Sequence, residues 1–344
     1  ITREKIHALV NSPGPSYLFV PQAIAAEQNK IPYLAGFGPV EAWAPTRNAA
    51  SPKWNYIWGF GFALVTPAPP GDFRAGKPGY TLADAWGGFM GEFGPRTNKK
   101  MAMFAADDQD GRGWFAGNPP VLKKMGYDVI GTDKKLGLFP GGTTYFAPMI
   151  KQWKANNCEI LWGMAPGPDF GTMWREARTM GWVPKIAMVA KAPLFFEEVS
   201  AWGGDLPMGV GTERWWDTAY PAESCPGIGG TTPQSLFERW YKKTGKALNQ
   251  GIGWGYVPIQ VLANAIERAG TLDATAISKA IGETDMLTIS HRVVFTKEDH
   301  HCRLPLTFGQ WMKVDKPWKW ECPIVVSNHE FLKPTAQAVF PIPK

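Results

Sequence analysis

The chain is 344 residues long with 44% hydrophobic and 19% charged residues. That balance excludes a disordered chain and suits about two domains with buried cores. No apolar stretch approaches the roughly 18 residues of a membrane span. The net charge of +6 is spread over single residues and pairs such as Lys99-Lys100, Lys123-Lys124 and Lys242-Lys243, which excludes a nucleic-acid-binding stripe.

Short apolar runs alternate with amphipathic stretches, the signature of an α/β fold with parallel sheets. The first run, 6–10, breaks at the Ser12-Pro13-Gly14-Pro15-Ser16 loop, and a helix follows to about Asn29. A second strand covers 32–36 and leaves through Phe37-Gly38, and a third spans 56–62. A Pro/Gly-rich segment, 66–79, leads into a helix over 82–93 and reads as a crossing between domains. The pattern restarts with a strand over 100–105, a turn at 107–111 and a helix ending at Met125-Gly126. Strands at 129–131, 159–163, 185–189 and 209–216 then alternate with helices at 145–156, 169–180 and 194–201. A second Pro/Gly-rich crossing at 221–232 precedes helices over 233–244, 256–269 and 273–282, and the tail carries hairpin-like strands at 306–314 and 318–326.

Four cysteines, Cys158, Cys225, Cys302 and Cys322, show no C-x-x-C spacing, so neither a zinc ribbon nor a thioredoxin-like motif is present. His300, His301 and Cys302 with Cys322 are poor metal ligands, because adjacent residues of an extended chain diverge. There is no G-x-S-x-G elbow and no phosphate-binding G-x-x-x-x-G-K-[ST] loop, and the 251–255 glycine run lacks the strand and acidic partner of a dinucleotide site. An enzyme, a metal centre and a bound cofactor are therefore not expected. Most of the 17 tryptophans read as core anchors, with the remainder available to a ligand cleft.

Several segments in order carry a family likeness: the Ile6-His7-Ala8-Leu9-Val10 run with its Ser/Gly loop, Ile31-Pro32-Tyr33, and 100–111. It continues through Lys123-Lys124-Met125-Gly126-Tyr127-Asp128-Val129, 153–160, Glu176-Ala177-Arg178-Thr179-Met180-Gly181-Trp182, 263–270 and Asp299-His300-His301. Together, over some 300 residues, the sequence resembles the type I periplasmic solute-binding proteins of branched-chain amino acid type ABC importers. The resemblance implies two Rossmann-like lobes joined by three crossovers with a ligand cleft between them, lobe one being 1–68 with 231–300 and lobe two 69–230 with 301–344. It also implies an opening βαβ unit of about 50 residues ahead of Ile1, so the chain reads as a processed or truncated product of an exported, periplasmic protein whose signal peptide lies outside it. The partners implied are a small-molecule ligand and membrane permease subunits, with the receptor a monomer.

Open α/β sheets hold ligands at the carboxyl ends of their strands. That rule selects Ser12, Gly14, Ser16, Phe37, Gly38 and Phe60 in the first lobe, and Asp110, Trp114, Met164, Lys191, Trp215 and Trp216 in the second. The Ser12 to Ser16 loop can present hydroxyls and backbone amides to a carboxylate, or Ser16 can serve as a plain helix cap. Phe37 stands where amino-acid receptors of this family place small hydroxyl residues. Lys191 stands where they tend to carry groups for an ammonium, so it attracts an anion, or is a solvated loop lysine. Adjacent residues of a strand face opposite sides, so only one of Trp215 and Trp216 can face the ligand. The expectation is a receptor for an aromatic or apolar carboxylate; an amino-acid or amide receptor, and a sensor without a transporter, are the alternatives. An exported compartment permits a disulfide, for which Cys225 with Cys302 is the expected pair and Cys322 the other partner open to Cys302, while Cys158 stays a buried thiol.

Overall fold

The computed structural model describes residues 5–14, 16–51, 53–132 and 137–344. In chain order the elements are β1 (Leu9–Gly14), α1 (Ser16–Gln28), β2 (Tyr33–Pro39), α2 (Val40–Ala49), β3 (Ile57–Phe62), α3 (Leu82–Phe93), β4 (Lys100–Ala106), α4 (Gln109–Lys124), β5 (Asp128–Ile130) and β6 (Leu138–Phe139). They continue with α5 (Ala147–Ala155), β7 (Ile160–Ala165), α6 (Gly167–Thr179), β8 (Ile186–Lys191), α7 (Phe196–Ser200), β9 (Val210–Arg214), α8 (Pro233–Thr244), α9 (Gly251–Ala269) and α10 (Ala274–Gly282). The last strands are β10 (Asp285–Thr288), β11 (His291–Val294), β12 (His301–Arg303), β13 (Thr307–Gln310), β14 (Met312–Lys313), β15 (Trp320–Glu321) and β16 (Ile324–Val326).

The elements divide into two compact units, unit 1 of residues 1–85, 215–306 and 328–333 and unit 2 of 86–214, 307–327 and 334–344. The division falls at 85/86, 214/215 and 306/307, whereas the expected bounds lie at 68/69 and 230/231, by the two Pro/Gly-rich segments, and at 300/301, in the 299–303 stretch. Backbone and side-chain bonds explain the difference. Leu82 N donates to Ala63 O at 2.7 Å and Leu306 N to Gly79 O at 2.7 Å, while the Arg74 guanidinium donates to Arg303 O at 2.8 Å and Val294 O at 2.9 Å. The segment after β3 is thereby tied into unit 1. Gln260 does the same for the second crossing, donating to Pro226 O at 2.8 Å.

Unit 1 is built on a parallel sheet in the order β1-β2-β3-β12. A strand covered on both faces reads as a continuous apolar run, and β3, Ile57 to Phe62, is buried at every position. On one face lie Phe19, Ala23 and Ala26 of α1 and Trp43 of α2 with Tyr33, Ala35, Trp54 and Ile57. Trp43 stacks on Phe19 with centroids 5.3 Å apart, and its Nε1 donates to Asp299 O at 2.7 Å. The β10-β11 hairpin is antiparallel and separate from this sheet.

Unit 2 carries the larger sheet, β16-β13-β9-β8-β7-β4-β5, with β6 also on β4. From β9 to β5 the pairs are parallel, and β13 closes on β9 antiparallel. Phe104, Trp153, Phe170, Trp174, Trp182 and Trp202 fill one face. Trp86, Trp114 and Trp162 pack edge to face and in parallel on one another, with centroids 4.7 to 5.9 Å apart.

All four cysteines are buried, and no disulfide joins Cys225 to Cys302. Each thiol is occupied by other neighbours. Cys302 lies within β12, paired in register with Phe60 of β3, and its Sγ accepts from Arg74 Nη1 at 3.4 Å. Cys225 Sγ lies 3.9 Å from Ser224 Oγ. No helix among the described residues is long and apolar enough to cross a membrane.

Candidate functional site

The carboxyl ends of the unit 2 strands converge on a charged cluster. Asp108 follows β4 and caps α4, its Oδ1 accepting from Gly111 N at 2.7 Å. A side chain at Gly111 is barred, because its Cβ would lie 1.9 Å from Ala106 O, so glycine lets α4 start directly against the end of β4. Lys191 ends β8 with φ +69°, a left-handed turn that most residues avoid. Its Nζ sits 2.9 Å from Asp108 Oδ2 and 3.0 Å from Asp110 Oδ2. Because β7 lies between β4 and β8, the lysine spans the end of the intervening strand, near Met164, which pairs with Ala105 on one side and Ala190 on the other.

This arrangement corrects one expectation and refines others. Lys191 is no unaccompanied cation: two carboxylates surround one ammonium, which offsets its pull on an anion. Trp114, one turn beyond Asp110 on α4, is 3% exposed and stacks on Trp162 at 5.9 Å, so it belongs to the unit 2 aromatic cluster. Met164 is 8% exposed, at the rim of the same core. Asp107 pairs with Arg112 beside the cluster, and that partner lowers the Asp107 carboxyl below its ordinary range.

In unit 1 the strands β1 and β2 share an irregularity. Their register shifts between Asn11 and Gly14, where Asn11 Oδ1 accepts from Gly36 N at 2.6 Å and Gly14 comes to face Phe37. Ser12 and Gly14 thus lie on β1, which runs on through the expected loop, Ser16 opens α1, and Phe37 and Gly38 lie on β2. The side chains of Ser12, Ser16 and Phe37, and Pro15 as a whole, lie outside the described residues. Phe60 is not at a strand exit: β3 continues to Phe62, and Phe60 is fully buried against Phe295 with centroids 5.0 Å apart.

Trp216 is the member of the Trp215-Trp216 pair that forms core. It is fully buried and donates from Nε1 to Ile289 O at 2.9 Å. Trp215 is 8% exposed and stacks on Phe62, the last residue of β3, with centroids 6.2 Å apart and planes 28° apart. Trp254 supports it at 5.0 Å, and Gln250 Oε1 accepts from Trp215 N at 2.7 Å. Two residues escaped the sequence reading here. Phe62 ends the third strand as read, 56–62, but Phe60 is the residue selected there as its exit. Glu41, in the first turn of α2, accepts from the backbone N–H groups of Leu64, Val65 and Thr66 at 2.7 to 3.0 Å and folds the chain after β3 back on the helix. No local signal marks that role.

Among the described residues no three His, Cys, Asp or Glu side chains are grouped to hold a metal ion. His300 instead stacks on Trp58 at 3.8 Å, and His301 packs at 6.1 Å from Trp43.

The profile of the periplasmic binding protein family matches residues 1–316. No curated protein matches the sequence. Among solved structures, the chain is similar in fold to the leucine binding protein LivK of Thermotoga maritima MSB8, at 17% identity over 94% of this chain and 81% of that one, with a TM-score of 0.65. It is similar to a solute binding protein of an ABC transporter from Rhodopseudomonas palustris HaA2 in complex with p-hydroxybenzoic acid, at 13% identity over 100% and 81% of the two chains, TM-score 0.66. A third, from Rhodopseudomonas palustris BisB5 in complex with 3,4-dihydroxybenzoic acid, shares 15% identity over 97% and 82%, TM-score 0.66. The two-unit parallel α/β architecture and the match over nearly the whole sequence agree, and the chain belongs to the periplasmic binding protein family, whose members are extracytoplasmic solute-binding receptors and not enzymes.

Proposed function

We propose that this protein is the solute receptor of an ABC importer and that its solute is a small aromatic carboxylate, which it delivers to a membrane permease. The observation that carries the ligand class is the Phe62–Trp215 stack at the carboxyl end of β3, backed by Trp254 and adjoining β2, the strand that carries Phe37. A ring laid against such a platform gains about 0.5–1.5 kcal/mol beyond the area it buries. The carboxylate is assigned to the backbone amides where β1 leads into α1, since a helix start presents unpaired N–H groups and the positive end of its dipole. The hydroxybenzoic acids held by two proteins of the same fold support this chemistry.

A second reading, an amino-acid or amide receptor, draws support from the Lys191 cluster, where two carboxylates around one ammonium suit a ligand's positive or hydrogen-donating group. Isothermal titration with p-hydroxybenzoate, benzoate, phenylalanine and leucine separates the two. Binding of an aromatic acid at least tenfold tighter than either amino acid, and weakened at least fivefold by Trp215→Ala, is the expected result. Equal or tighter binding of phenylalanine or leucine overturns the aromatic-acid reading in favour of the second.

A further inference from the structure

Three chain crossings between the units bring one side chain each to a single place inside unit 2. Trp86 is the first unit 2 residue of α3, Glu213 is next to last before the chain leaves β9, and Phe308 is the second after it re-enters on β13. Phe308 pairs with Glu213 across the antiparallel β9-β13 ladder, and its ring lies 6.1 Å from that of Trp86, edge to face. The Glu213 carboxylate is 3% exposed; it accepts from Trp86 Nε1 at 3.3 Å and from Thr212 Oγ1 at 3.0 Å. Trp86 in turn packs on Trp162 at 4.7 Å and Trp114 at 5.3 Å.

Among the described residues, no cation on the elements packed around it compensates this carboxylate. β13 carries Thr307, Phe308, Gly309 and Gln310, none of them titratable. β8, on the other side of β9, ends in Lys191, which is held by Asp108 and Asp110. Arg214 alternates to the opposite face, where its Cγ crowds Gly309. On α3, Asp84 accepts from Gly79 N and Thr81 N, and Glu92 is exposed. On α4, Asp110 is held by Lys191, and Arg112 is exposed beside Asp107.

We propose that Glu213 is a proton-operated clasp on the chain crossings: neutral, it keeps Trp86 packed against the β9-β13 pair, and ionised, it loosens them. An uncompensated charge in this setting draws in water or swings towards it, and either response separates Trp86 from Phe308 and Trp162. Burial raises the Glu213 carboxyl to about 7, which puts the change within the range a periplasm experiences. In receptors that change shape on binding, a few residues at such crossings absorb the backbone change, so the clasp acts on the receptor's conformational state and is independent of which solute it carries.

Amide hydrogen exchange of the full chain from pH 5.5 to 8.5, corrected for the intrinsic pH dependence of exchange, tests this without any ligand. The expected result is that segments 82–93, 210–214 and 307–310 lose at least tenfold protection with a midpoint near 7, while the Phe104–Trp153 core does not. Glu213→Gln, which mimics the neutral carboxyl, keeps the protection at its low-pH level throughout. Trp86→Phe, which deletes the indole hydrogen bond to the carboxyl, lowers the protection of the same segments already at pH 5.5 and shrinks the step across pH 7. A flat profile in the unmodified protein, or a step across pH 7 that Glu213→Gln leaves intact, overturns the proposal.

Discussion

Gly253, in the first turns of α9, offers a sharp test of how unit 1 is packed. A Cβ there would meet the Trp216 ring at 2.0 Å from Cδ2, 2.2 Å from Cε2 and 2.3 Å from Cγ. Ordinary carbon contacts need about 3.5 Å, so ring or helix must move by about 1.5 Å. The ring is not free to do so: it is fully buried and anchored through Nε1 to Ile289 O at 2.9 Å. Over-packing of this kind costs about 1–3 kcal/mol, and loss of the indole hydrogen bond adds about 1 kcal/mol. Against this, alanine is favoured over glycine in a helix by about 1 kcal/mol. Packing wins, and Gly253→Ala is expected to destabilise unit 1 by about 1–3 kcal/mol. For a unit of this size that lowers its melting temperature by about 3–10 °C. Gly91→Ala in α3 is the matched control, since nothing lies within 4 Å of its Cβ position, and it is expected to stabilise by about 0.5–1 kcal/mol. Scanning calorimetry of both variants, with the two units followed as separate transitions where they resolve, decides the matter. A Gly253→Ala protein as stable as the unmodified chain would falsify the packing argument.

Two further outcomes follow from buried groups. His329 is 7% exposed and lies against Gly79, with Nε2 3.1 Å from Leu306 O, and burial holds its imidazole down to about 4. A lowered histidine pKa means that stability is full above the unfolded value near 6.5 and is lost as pH falls from there to about 4, up to about 3 kcal/mol. His329→Gln is therefore expected to flatten the acid limb of the stability curve over that window, and an unchanged limb counts against it. Burial pushes the thiols of Cys158 and Cys225 up to about 12, so all four cysteines should resist alkylation in the native protein at pH 8. In denaturant without reductant each should take one alkyl group, and mass addition of only two groups would restore a disulfide.

The α/β class and most elements were legible in the sequence because their signals are local. The helix read over 82–93 matches α3, whose start is written in its neighbours: Asp84 N donates to Thr81 Oγ1 and Thr81 N to Asp84 Oδ2. α8 begins at Pro233 behind the Thr232 cap and stops at Gly245, which turns left-handed at φ +66°. α2 carried no such message. It contains Pro45 and lacks a side-chain cap, and it is held by Trp43 and Arg47 bonding to Asp299 O and Glu298 O, some 250 residues away. The three-residue strand β12 likewise exists because β3 gives it a partner.

The same division runs through the site. Strand exits could be selected from the alternation of apolar runs and glycine-rich loops, which brought attention to Lys191, Asp110 and Trp215. What surrounds each of them was a matter of sheet order. Placing β7 between β4 and β8 sets Lys191 against Asp108, 83 positions earlier, and changes it from an attractor of anions into the centre of an acidic pair. Trp215 and Trp216 are indistinguishable by sequence, yet one turns to Ile289 and the other to Phe62. Local chain chemistry thus determined which segments became helix or strand, because caps, turns and periodicity act over a few residues. Long-range packing alone decided which cysteine, lysine or tryptophan met which partner, because those contacts come into being only when distant strands are laid side by side.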